Sequence, residues 1–300
     1  SDLDRPHAPL EGAIDAQILP QPEAPAQARA MTALRPHQTR AIEAVRDAYR
    51  RRTRRVLLVM PTGAGKTFTA AELIRRSVDG GRKVLFLVHR REIVMDTHRR
   101  LTAAGVPCGL VIAGKPASIA PVQVASVQTI AAREEHPPAD LVVWDEAHHT
   151  AAESYRTIAA QYPAAWHLGL TATPERADGV GLRDAFDELV VGATVAELTA
   201  LGLLAPCDVL APAKRQGGLA IEPVEAWAKY AAPRPTVAFC RSVAESLALA
   251  AAVTERGFRA RHIDGSTSTR EREEALSQFA AGRVDVLTNV FVLTEGWDCP

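Results

Sequence analysis

The stretch Met60-Pro61-Thr62-Gly63-Ala64-Gly65-Lys66-Thr67 carries the groups needed to hold a chain of phosphates. Two glycines let successive backbone N–H groups turn inward, a lysine supplies positive charge, and a threonine hydroxyl can bind Mg²⁺. On this reading Pro61, Thr62, Gly63, Ala64 and Gly65 cradle the phosphates of ATP, Lys66 neutralises the terminal ones, and Thr67 holds the metal. Such a loop requires an acid opposite it. Leu141-Val142-Val143-Trp144-Asp145-Glu146-Ala147-His148-His149 offers one at the end of an apolar run. Asp145 would share the Mg²⁺ bound by Thr67, and Glu146 would orient or deprotonate an attacking water. Each stretch alone has a plainer reading: a glycine turn ending in an exposed lysine, and an acidic pair closing a strand or capping a helix. The common form G-x-x-x-x-G-K-[ST] also has glycine where this chain has Met60. His148 and His149 are either metal ligands or polar contacts within the same site, and neither H-E-x-x-H nor a paired C-x-x-C accompanies them.

The flanking residues decide for the functional reading. Val56–Val59 is a short apolar, β-branched run suited to a buried strand, and Phe68 to Val78 has helical spacing, so the order is strand, glycine turn, helix. From Arg35 to Tyr49, Ala41, Ile42, Val45 and Ala48 fall on one helical face, and Gln38 near its start can face a nucleotide base. The run Arg50 to Arg55 then reads as a solvated helix end favourable to the helix dipole, or as a phosphate contact. Val84–Val88 is a further strand delivering His89, Arg90 and Arg91 to its end, where they meet a sugar-phosphate backbone or simply open a helix in solvent. Val122–Ser126 repeats the pattern, with Ser126, Gln128 and Thr129 able to hydrogen-bond phosphates without charge. Trp166–Thr171 leads into Thr171-Ala172-Thr173-Pro174, whose hydroxyls either bridge from the acidic stretch to a second lobe or cap the next segment.

P-T-G-A-G-K-T together with D-E-A-H resembles superfamily 2 helicases and translocases of the DEAD/DEAH type, and further matches follow in the expected order from Thr32 to the last residue. Leu34-Arg35-Pro36-His37-Gln38 is similar to the segment that reads adenine, which places Arg35 and Gln38 at the nucleotide. Gly169-Leu170-Thr171-Ala172-Thr173-Pro174 resembles the element coupling hydrolysis to movement. Val237-Ala238-Phe239-Cys240-Arg241-Ser242 and Leu293-Thr294-Glu295-Gly296-Trp297-Asp298-Cys299-Pro300 are similar to two motifs of a second lobe. By that resemblance Gly296 and Asp298 approach the nucleotide, while Arg241 and Ser242 touch nucleic acid. L-R-P-x-Q, G-L-T-A-T-P and L-T-E-G-W-D-C-P are nearest in form to bacterial RadD-like proteins and the helicase subunits of restriction systems, a group acting mostly on DNA. The family's Q-x-x-G-R-x-x-R motif is absent from this chain, so the expectation is an excerpt of a longer protein, or a lobe completed by a protein partner.

The resemblance implies an α/β protein of two RecA-like parallel-sheet lobes, the second incomplete at its C-terminus. The expected division is a Pro/Ala-rich flexible lead-in over 1–31, an ATP-binding lobe over 32–203, a linker over 204–235 and a partial second lobe over 236–300. In the last, strands at Val237–Cys240, Ala260–Ile263 and Val284–Thr288 alternate with helices at Val243–Arg256 and Arg270–Phe279, which is βαβ order.

With 35 acidic and 35 basic residues, net charge gives no support for or against a nucleic-acid partner. Cys108, Cys207, Cys240 and Cys299 have neither disulfide nor zinc spacing, which fits a reducing compartment, and the expected location is cytoplasmic with no membrane partner. The expected activity is Mg·ATP hydrolysis used to move along or unwind DNA, a single strand or forked duplex of DNA being favoured over RNA, with a role such as DNA repair. A duplex-DNA translocase that separates no strands, and a nucleic-acid-binding module with little or no ATPase, are the rival readings.

Overall fold

The computed structural model describes residues 34–89, 91–113, 118–149, 152–174, 181–210 and 222–293, without the side chains of residues 91, 92 and 152. The lead-in over 1–31, Arg90, the Arg91 side chain, Gly296 and Asp298 lie outside the described residues. The chain divides into two compact units meeting in sequence at Ala205 and Pro206.

The first unit runs α1 (Pro36–Arg50), β1 (Arg55–Val59), α2 (Lys66–Asp79), β2 (Val84–Val88), α3 (Arg91–Ala103), β3 (Cys108–Leu110), β4 (Val122–Ser126), α4 (Val127–Ala131), β5 (Leu141–Trp144), α5 (Ala152–Gln161), β6 (Trp166–Thr171), β7 (Glu188–Val191) and α6 (Val195–Ala200). Its seven strands are parallel and ordered β3-β4-β2-β5-β6-β1-β7. Parallel strands need helical crossovers, so both faces of the sheet are covered, and the strands read as unbroken apolar runs. Alternate residues serve the two faces. Val56, Leu58, Phe86, Val143 and Leu168 pack against Ile42 and Val45 of α1 and Ile74 of α2. Leu57, Leu85, Leu87, Val142 and Trp144 face Ile130, Tyr155 and Ile158 from α4 and α5.

This order settles where chemistry can sit. In parallel α/β sheets, ligands bind beyond the carboxyl ends of the strands. Strands β5, β6 and β1 are neighbours, so the acidic stretch, Thr171 and the glycine turn leave the sheet side by side, within roughly 10 Å at the ~4.8 Å strand spacing. The arginine run lies at the other end of the strands. There Arg50 pairs with Asp47, Arg51 with Glu188, and Arg55 with Asp187, while Arg54 donates to the Ala164 carbonyl. These partners give the run a structural role.

The second unit holds α7 (Pro223–Tyr230), β8 (Thr236–Phe239), α8 (Val243–Glu255), β9 (Ala260–Ile263), α9 (Thr269–Ala280) and β10 (Val286–Asn289), with a parallel sheet ordered β8-β10-β9. The βαβ expectation holds for the described residues. The expected linker needs one correction: Pro223–Tyr230 is a helix whose Trp227 is buried with Val253 and Val286, so it belongs to the second unit's core.

His167 in β6 is 4% exposed and accepts at Nδ1 from the Trp144 indole N–H at 3.2 Å. Burial pushes its pKa down to about 4. It stays neutral in the folded chain while the unfolded chain takes up a proton below about pH 6.5, so its stabilising contribution shrinks as pH falls from 6.5 toward 4. Between pH 6.5 and 5 the loss should reach roughly 2 kcal/mol. Asp145, whose pKa is raised to about 6, acts with the opposite sign over the same interval. Urea unfolding of wild type and His167→Gln across this range isolates the histidine: the variant should be less stable at neutral pH and lose less on acidification.

Candidate active site

The glycine turn joins β1 to α2, and its departure at Met60 has a structural reason. Met60 is fully buried and its N–H donates to the Thr171 carbonyl at 2.9 Å, continuing the β1–β6 ladder, so this position requires no glycine. The two glycines that remain are required. Gly63 and Gly65 have φ of +81° and +83°, and a Cβ on Gly65 would lie 2.4 Å from Gln38 Nε2. Gly65 precedes the first turn of α2, so the helix presents its unpaired N–H groups and positive dipole end to the turn.

Gln38 is buried against this turn from α1. Its Oε1 accepts from the Arg35 N–H at 2.9 Å, which leaves the amide N–H₂ end beside Gly65. Arg35 itself is exposed. His37, to which the sequence assigned no role, holds the loop directly. Its Nε2 lies 3.0 Å from the Ala64 carbonyl, and since a carbonyl only accepts, Nε2 carries the proton. Only its place in L-R-P-H-Q pointed to it.

Across the sheet end, Lys66 Nζ lies 3.2 Å from Glu146 Oε1. Asp145 sits beside this pair with its pKa raised to about 6, first by burial and then by repulsion from Glu146, while Lys66 opposes the shift. Glu146 has φ +45°, a left-handed conformation uncommon for a residue with a side chain and a form of strain found at functional sites. Its Oε2 is buried without a hydrogen bond among the described residues, and His148 Nδ1 lies 3.5 Å away. Two carboxylates facing one ammonium group leave excess negative charge, which a divalent cation held by Asp145 and the Thr67 hydroxyl would relieve. The donor set therefore fits Mg²⁺.

Thr171 ties the next strand end to this group. Its hydroxyl donates its single proton to the Thr173 carbonyl at 2.6 Å and accepts from the Thr173 N–H at 3.1 Å. His148 Nδ1, 2.8 Å from the same oxygen, must then be a donor, which fixes where that ring carries a proton. The bond places an N–H edge toward Glu146.

The chain matches the family described as type III restriction enzyme, res subunit, over residues 31–176, and the helicase conserved C-terminal domain over residues 222–300. Together the two span about three quarters of it. In both parts the chain resembles the helicases of superfamily 2. Among its relatives is irc3 of Schizosaccharomyces pombe, whose provisional name is mitochondrial ATP-dependent helicase. It is 31% identical over 89% of this chain and 50% of its own length. A type I restriction enzyme EcoAI endonuclease subunit of Escherichia coli is 31% identical over 58% of the chain and 23% of its own length. In fold, the chain resembles the DNA-bound type ISP restriction-modification enzyme LlaBIII, with a TM-score of 0.66 at 20% identity over 89% of this chain and 25% of that one. The fold is that of RecA-like parallel-sheet lobes. The chain spans about half the length of the first curated relatives it matches.

The residues expected at nucleic acid divide differently. His89 stands at the end of β2, and Gln128, exposed on α4, donates to its carbonyl at 2.7 Å. Ser126 and Thr129 correct the expectation. Both are buried, their hydroxyls lie 2.8 Å apart, and the Ser126 oxygen accepts from the Thr129 N–H as the cap of α4. A hydroxyl engaged in capping inside the fold is not presented to a phosphate. In the second unit Ser242 likewise caps α8, and the exposed Arg241 pairs with Glu245 at 2.9 Å.

Proposed function

We propose that the chain binds Mg·ATP at the glycine turn and hydrolyses it to drive movement along DNA. The observation that carries this reading is the convergence of Lys66, Asp145 and Glu146 at one end of the sheet, with Lys66 Nζ 3.2 Å from Glu146 Oε1. Pro61 to Gly65 cradle the phosphates, and Lys66 leaves Glu146 for the terminal ones. Bound Mg²⁺ supplies charge neutralisation at the transferring phosphate. Asp145 and Thr67 hold it, and the freed Glu146 carboxylate accepts a hydrogen bond from the attacking water and orients it. The buried Gln38, with its N–H₂ end directed as a donor, is suited to an acceptor nitrogen of adenine.

DNA is favoured over RNA as the track because one relative carries DNA in its name. The DNA 3′-5′ translocase XPB2 of Sulfurisphaera tokodaii is 29% identical over 49% of the chain and 32% of its own length. The deciding measurement is ATP hydrolysis with single-stranded DNA, duplex DNA and RNA, alongside strand-displacement and triplex-displacement assays. Stimulation by DNA with displacement of a triplex but no strand separation identifies a duplex translocase, and strand separation identifies an unwinding enzyme. Hydrolysis indifferent to all three polymers would remove the motor reading.

A further inference from the structure

Three histidine rings join the rim of the first unit to the catalytic carboxylate. His89 stacks on His149 with ring centroids 4.8 Å apart and planes 29° from parallel, and His149 lies against His148 at 3.9 Å. His148 in turn donates to Thr171 and lies 3.5 Å from the Glu146 Oε2. At the outer end, the exposed Gln128 grips the His89 carbonyl at 2.7 Å. The path therefore runs from α4 to the end of β2 and then to the segment after β5, through contacts lying wholly within the first unit.

These contacts have a directional consequence. Glu146 is held in a left-handed backbone conformation, so small shifts in the short turn carrying residues 146–149 change where its carboxylate points. His149 is exposed, and its ring is the link between His89 and His148. A strand of nucleic acid settling on His89 and Gln128 would press on that stack and so on the turn. A contiguous chain of packed groups with two end points is the physical form that coupling between sites takes.

We infer that His149 is a positioning residue that couples nucleic acid held at the β2 and α4 rim to the placement of Glu146. This rests on the function proposed above, and deepens it by assigning a residue to the communication between track and nucleotide. Coupling between two ligands is reciprocal, so it can be read without hydrolysis: a bound nucleotide must change DNA affinity by the same factor that DNA changes nucleotide affinity.

The test measures binding of a labelled oligodeoxythymidine or a labelled duplex, whichever wild type binds more tightly, with and without Mg²⁺ and ATPγS. Wild type, His149→Ala and His149→Phe are compared. Wild type should show a coupling factor in the range of about 5- to 150-fold. His149→Ala should bring that factor close to one, whatever it does to each ligand's affinity measured alone. His149→Phe, which keeps a flat ring for the stack, should restore most of the coupling and also guards against a fault of folding in the alanine variant. A structural role alone would move affinity or stability, not the ratio. Full coupling in His149→Ala, or coupling lost equally in His149→Phe, overturns the inference. Wild type that binds both ligands without coupling also overturns it and leaves the ATPase reading standing. Wild type that binds neither polymer overturns both.

Discussion

Glutamine in place of Glu146 is expected to lower kcat for ATP hydrolysis by roughly 10²- to 10⁴-fold, the usual contribution of a positioned general base, while Mg·ATP binding persists or tightens. The amide keeps the size and the left-handed backbone of the original but cannot accept a proton from water. Binding should improve for two reasons. Lys66 is ion-paired to Glu146 at 3.2 Å, and that pairing competes with phosphate for the same ammonium group. Glu146 is also the second cause, after burial, that raises the Asp145 pKa to about 6, so a neutral neighbour leaves Asp145 more fully ionised at neutral pH and better able to hold Mg²⁺. Equilibrium binding of a fluorescent ATP analogue and steady-state phosphate release separate the two effects. Unchanged turnover in the variant would remove Glu146 from the chemistry, and with it the assignment of the D-E-A-H stretch as the hydrolytic centre.

How far this site was legible in the sequence follows from what each residue must do locally. Gly63, Gly65 and Lys66 were readable because a phosphate-binding turn between a strand and a helix constrains residue type at fixed spacing, and the observed φ angles meet that constraint. Asp145 and Glu146 were readable as a strand end because they close a β-branched apolar run of strand length. Strand order was not written in any short pattern. That β6 separates β1 from β5, and so puts Thr171 between the two halves of the site, is a long-range outcome of packing. His37 escaped notice because a lone histidine in a helix carries no pattern, and its role appears only when α1 packs against the glycine turn. Ser126 and Thr129 were misplaced for the converse reason. A serine followed three residues later by a threonine reads equally as a phosphate contact or as a helix cap, and burial decided for the cap. Helix α7 was assigned to the linker because its neighbourhood is rich in proline and glycine, but Pro223 is the first residue of that helix, where proline is well tolerated, and Trp227 anchors it to the second sheet.

Lys66→Ala should abolish useful ATP turnover, with a loss of roughly 10²- to 10³-fold in kcat, the scale for removing one preorganised charge that faces a developing negative centre. Nucleotide affinity should fall as well, because the lysine meets phosphate in the ground state too. The variant also disturbs the site before any nucleotide arrives. Lys66 is ion-paired to Glu146 and counteracts the rise in the Asp145 pKa. Its removal leaves two carboxylates side by side, and one of them should hold its proton to higher pH. Lys66→Arg provides the discriminating comparison. It restores the charge and should return Asp145 toward its wild-type titration, but a planar guanidinium cannot replace a compact ammonium in a turn shaped by Gly63 and Gly65. Hydrolysis should therefore stay low in Lys66→Arg while the infrared carboxylate signal of the site recovers. Wild-type turnover in either variant would mean that the ammonium group does not act on the phosphates, and the glycine turn would then be a structural feature of the sheet end.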